Sequence, residues 1–116
     1  MSQEEMFDKY DKFVLAGIQR EYFGSLLFSR GALTQHEFVA RMIAELTGAP
    51  QGTRAYEELV ARLTQSVKKL AEWGLLDLKE YEVKLTDWGL SVAGSVGSEE
   101  YQKIKDDLAK AAGRRK

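Results

Sequence analysis

Apolar residues recur at three- and four-residue steps through the start of the chain: Met6, Phe7, Tyr10, Phe13, Val14, Ile18, Tyr22, Phe23, Leu26 and Leu27. The spacing predicts one amphipathic helix ending near Arg30-Gly31. Ser2 and Glu5 are placed to open it as a capping box, each side chain satisfying a backbone N–H of the first turn. Gly17 and Gly24 weaken it by ~1 kcal/mol each. At 1.5 Å per residue the helix is ~40 Å long, so one end is expected to protrude. Thr34 and Glu37 form a second cap pair ahead of Phe38, Val39, Met42, Ile43 and Leu46, and Gly48 stops that helix. Thr53 caps a third, with Tyr56, Leu59, Val60, Leu63, Val67 and Leu70 on one stripe and Trp73-Gly74 at its end.

The period then falls from 3.6 to 2. Leu76 and Leu78 alternate with Asp77 and Lys79, and Tyr81, Val83 and Leu85 alternate with Glu82 and Lys84, which predicts a hairpin turning at Lys79-Glu80. Thr86 caps a short helix through Ala93, the stretch from Gly94 to Ser98 is a hinge, and a last helix carries Tyr101, Ile104, Leu108 and Ala111 on one side. The chain is read as one domain, 1–116, mostly α with a small β-hairpin: an N-terminal helix 1–30, a core 34–93, a C-terminal helix 98–112 and a basic tail 113–116.

The segment "AEWGLLDLKEYEVKLTDWGL" joins the third helix to the hairpin and restarts a helix. With Leu70, Gly74, Leu75, Leu76, Tyr81, Leu85, Thr86, Gly89 and Ala93 it resembles the winged helix-turn-helix superfamily, specifically regulators of the PadR and MarR type. The resemblance covers about 22–93 and implies a winged helix-turn-helix with long N- and C-terminal helices. It also implies a DNA-binding transcriptional or nucleoid regulator, cytoplasmic and associated with the nucleoid when bound to duplex. The third helix would be the recognition helix, with Arg54, Arg62 and Gln65 reaching base edges and Lys68 and Lys69 on phosphate. Lys79 and Lys84 are the basic residues of the wing.

Charge complicates that expectation. The net charge is -1, and from Thr34 to Ala93 there are seven Lys/Arg against nine Asp/Glu. Duplex binding draws much of its affinity from neutralised phosphates, so an acidic core favours an alternative: a winged helix that docks a partner protein. The wing is also too short to leave a flexible tip. An apolar surplus points to assembly. Phe7, Tyr10, Phe13, Val14 and Ile18, with Tyr101, Ile104 and Leu108, exceed what one core is expected to cover, which predicts a homodimer through the terminal helices.

The remaining chemistry is sparse. There is no cysteine, and His36 is the only histidine, so neither a disulfide nor a transition-metal site is expected, and no cofactor is assigned. His36, in the first turn of the second helix, is expected at the surface. No glycine-rich phosphate loop or nucleophile–histidine–acid signature occurs, and no enzymatic activity is expected. Trp73 and Trp88 read as packing residues at helix ends rather than walls of a ligand pocket. A charged start and the lack of an ~18-residue apolar run predict neither a signal peptide nor a membrane span.

Overall fold

The computed structural model describes residues 6–27 and 34–113. The elements in order are α1 (Lys9–Tyr22), β1 (Ser25–Leu27), α2 (Gln35–Glu45), α3 (Arg54–Glu72), β2 (Leu76–Leu78), β3 (Glu82–Leu85), α4 (Asp87–Ser95) and α5 (Ser98–Ala111).

The first helix is much shorter than its apolar spacing predicts. Asp8 caps it, accepting from the Asp11 N–H while the Asp11 carboxylate accepts from the Asp8 N–H, a reciprocal pair the sequence reading passed over. The proposed Ser2–Glu5 cap lies outside the described residues. At the other end Phe23 turns left-handed at φ 57 and Gly24 follows at φ 95. Both N–H groups donate to the Ile18 carbonyl, closing the helix. The chain then leaves as β1, so Leu26 and Leu27 belong to a strand. Leu26 is buried and Leu27 is exposed, the alternation of a half-buried strand. A ~40 Å rod would also exceed the molecule's longest extent of 36 Å.

α2 and α3 are capped as expected, Thr34 accepting from the Glu37 N–H and Thr53 from the Tyr56 N–H. The Glu37 carboxylate, however, turns to Arg41 Nε at 3.0 Å. β3 lies between β1 and β2 in an antiparallel sheet of order β1-β3-β2. Ser25 opposes Lys84, Leu26 opposes Val83, and on the other side Leu76 opposes Leu85 and Leu78 opposes Val83. The Lys79 N–H donates to the Glu82 carbonyl at 2.7 Å, which puts Tyr81 in the turn, half exposed, rather than on the inner face of a strand.

α4 begins under Thr86, whose hydroxyl accepts from the Gly89 N–H and donates to the Gly74 carbonyl. Gly74 takes φ 87 as the chain leaves α3. Gly89 has a different reason to be glycine: a Cβ there would collide with the Leu75 carbonyl oxygen. This close approach holds α4 against the strand that follows α3.

One core runs through all the layers. Phe13, Val14, Leu15 and Ile18 of α1 are fully buried with Ile43 of α2, Leu63, Val67 and Leu70 of α3, Val83 of β3 and Leu108 of α5. α5 lies along α1: the Tyr101 ring stacks on Phe13 with centroids 5.6 Å apart, and Lys12 Nζ reaches Glu100 at 3.0 Å. The apolar-surplus argument is corrected here. Phe7, Phe13, Val14, Ile18, Tyr101, Ile104 and Leu108 are all buried within a single chain, and Tyr10 is partly covered. The N-terminal helix is short enough for α3, α4 and α5 to cover its apolar face, so no second copy is needed to bury these side chains.

Candidate functional site

Seven apolar and small side chains of α3 point into the core, which leaves the opposite face to solvent. Along the middle of that face run Arg54, Glu58, Ala61, Gln65, Lys68 and Glu72, all exposed. The charges alternate. Arg54 Nε pairs with Glu58 Oε1 at 3.2 Å, a pair open enough to water that both partners can be re-partnered at little cost.

Each flank of α3 is tied to a neighbour. Towards α2, Arg41 is the hub: its Nε meets Glu37, and its two terminal nitrogens hold both oxygens of Glu57 at 3.0 and 2.9 Å. The bidentate pairing holds the Glu57 carboxyl below its usual range and raises the guanidinium further above its own. Near the other end of α3, Lys68 and Glu72 act on His36 in the first turn of α2. Partial burial lowers the His36 pKa below 6.5, Lys68 lowers it further, and Glu72 opposes the shift. His36 is thus half-buried rather than on the open surface. Gln35, beside it, donates through Nε2 to the Lys79 carbonyl at 2.6 Å, so the start of α2 holds the hairpin turn.

Towards α1 the contacts reach a buried carboxylate. Lys69 Nζ donates to Asp11 Oδ2 at 2.7 Å and to the Met6 carbonyl at 3.1 Å, and lies 4.7 Å from the centre of the Trp73 ring. Asp11 is 1% exposed. Arg62, two turns earlier in the helix, rests its guanidinium 4.9 Å from the Tyr10 ring centre. Beyond Trp73, the Phe7 ring is wedged between the two indoles, at 5.9 Å from Trp73 and 6.1 Å from Trp88. The two tryptophans are half-exposed packing residues at helix ends.

The residues singled out from sequence are therefore not equivalent. Arg54, Gln65 and Lys68 share the solvent face of α3. Arg62 lies at its edge on Tyr10. Lys79 and Lys84 are exposed on the hairpin, with Lys79 Nζ 3.9 Å from Asp77. Lys69 is corrected: it is spent on Asp11 and turned away from the open face. Asp11, Arg41 and Gln35, which brace α3 and the hairpin, escaped the sequence reading. Two signals were present, the Asp8-x-x-Asp11 cap spacing and the Glu37–Arg41 pair four residues apart.

Among the described residues no helix is long and apolar enough to cross a membrane, and no group of three or more His, Asp or Glu is placed to hold a metal ion. No protein-family model, no curated protein and no solved structure matches the chain.

Proposed function

We propose that the chain is a winged-helix DNA-binding protein, a transcriptional or nucleoid regulator rather than an enzyme, with α3 as its recognition helix. The observation that carries this is connectivity with exposure. The order α1-β1-α2-α3-β2-β3, closed by a β1-β3-β2 sheet, leaves the polar face of α3 open beside a hairpin held to the start of α2. In that pose Gln65 and Arg62 supply base contacts, and Lys68, Lys79 and Lys84 contact phosphate. Lys69 is excluded from the phosphate set. Two copies acting together remain part of the reading only through surfaces other than the apolar stripes of α1 and α5.

About three phosphate contacts imply a log–log salt slope of about -2.7, so affinity for a random duplex should fall about 40-fold between 50 and 200 mM salt. Fluorescence anisotropy measures it. Lys68→Ala should reduce the slope by about one unit on every sequence, whereas Lys69→Ala should not change it. Absence of duplex binding even at low salt overturns the proposal. It would favour the second reading, docking of a partner protein, which the alternating Arg54, Glu58, Lys68 and Glu72 charges support on the same face.

A further inference from the structure

The sheet has two outer edges, and they are built differently. The edge along β2 carries Asp77, followed by Lys79 and Glu80, the kind of charged residues that discourage another strand from adding there. The edge along β1 has no such guard. From Tyr22 to Ser29 the sequence contains no charged residue and no proline, in a chain that is 30% charged. Large apolar side chains stand open around it: Phe23 is 93% exposed and Leu27 74%, and Leu90 lies beside Gly24 where the strand begins.

The ladder on the inner side of β1 fixes what its outer side offers. The Leu85 N–H donates to the Gly24 carbonyl, and Leu26 opposes Val83 two residues on, so Gly24 and Leu26 are the positions that bond to β3. Ser25 and Leu27 alternate with them, and their N–H and C=O groups point away from β3. Among the described residues neither makes a backbone hydrogen bond on that side. An antiparallel strand of matching spacing satisfies all these groups, and β1 itself has the spacing. Ser25 then faces Leu27 of a second copy, and Leu27 faces its Ser25, about a two-fold axis through the Leu26 pair. Charge agrees with this register. Within the chain Ser25 also opposes Lys84 and Leu27 opposes Glu82, so each row across the joined sheets runs Lys84, Ser25, Leu27, Glu82. Opposite charges end every row, and no like charges adjoin.

We propose that β1 is a self-association edge, joining two copies of this chain through antiparallel β1 strands into one continuous sheet. Phe23 and Leu27 of both copies border the seam. With the strand backbones they amount to on the order of 1,000 Å² of total buried surface, the lower end for a specific interface, so the dimer is weak and depends on concentration. The pairing uses neither apolar stripe of α1 and α5. It does not rest on duplex binding and is tested without nucleic acid.

Sedimentation velocity of the full chain from about 10 μM to about 1 mM tests it, with amide hydrogen exchange read at both ends of that range. A monomer–dimer equilibrium is expected, and exchange at the Ser25 and Leu27 amides should slow about tenfold at the higher concentration. Leu27→Pro removes one seam donor from each copy and leaves the β1–β3 ladder intact, so the dissociation constant should rise at least about tenfold. Should that variant fail to fold, Leu27→Lys and Leu27→Glu change the same exposed side chain. Each alone should associate about tenfold more weakly than wild type, and the two mixed should associate better than either alone, because the two substituted positions lie diagonally across the axis. A chain that is monomeric at about 1 mM overturns the proposal and leaves the edge for an extended segment of another protein. So does a dimer whose Ser25 and Leu27 amides stay unprotected, or one that folded Leu27→Pro forms as readily as wild type. Lysine and glutamate variants that show no preference for each other overturn it as well.

Discussion

The two flanks of α3 are each fastened by charge, in opposite ways. On the α2 side Arg41 bridges Glu37 and Glu57 with every partner at least about a third exposed to water. On the α1 side Lys69 meets an Asp11 carboxylate that is almost wholly buried. In water the ions keep most of their hydration, so forming or losing the pair changes little. In the core the carboxylate has given up its hydration and depends on its partners. The adjacent lysines show how local the division is: Lys68 is exposed on the open face, and Lys69 is drawn inward one residue later. A surface can therefore be rich in ion pairs and still be available for binding, provided the pairs are of the first kind.

The contrast is most open to challenge on the buried side. Lys69→Ala leaves the buried Asp11 carboxyl group with only a backbone donor, and urea denaturation should register a loss of about 2–3 kcal/mol. That lies below the usual range for a broken buried pair because the Lys69 side chain is itself about a third exposed. Asp11→Leu with Lys69→Met should recover most of the loss, since the cost lies in the stranded carboxyl group. A single-variant loss under about 1 kcal/mol would erase the difference between the flanks.

Arg41→Ala is the matching test on the other side. Its loss should stay within about 1 kcal/mol and shrink in high salt, as screened surface pairs do. A salt-independent loss as large as that of Lys69→Ala would show that the α2 flank is also dehydrated.

The smallest effect concerns His36. Its folded pKa lies below the unfolded value of 6.5, so the unfolded chain takes up the proton more readily. The contribution to stability is complete above 6.5 and is lost as pH falls from there through the lower folded value. His36→Gln should flatten that part of the stability profile. A wild-type chain that becomes more stable between pH 7 and 5 through this residue would reverse the assigned sign.

Much of the architecture was legible in the sequence because it is periodic. The α3 stripe, the caps at Thr34, Thr53 and Thr86, and the switch to a hairpin after Gly74 all follow from spacing and side-chain chemistry. β1 was not legible, because Leu26 and Leu27 continue the helical spacing of α1. What ends the helix is the left-handed turn at Phe23, a conformation that a bulky aromatic residue rarely advertises. The apolar surplus was overestimated for the same reason, since the length of α1 decides how much apolar face is left to cover. The solvent face of α3 could be read from the helix period, but not the fate of Lys69. That depends on Asp11, a residue from another helix far away in sequence.

The strand order also sets how assembly of the molecule is coupled. β2 and β3 are joined by a tight turn, so their ladder closes a small loop. β1 reaches β3 only across α2, α3 and β2, and the chain entropy lost on closing a loop grows with its length. Its three-residue ladder cannot offset that loss alone and forms with the docking of the intervening helices. The β1–β3 pairing is therefore a non-local contact, and it makes the hairpin and the first helix parts of one cooperative unit.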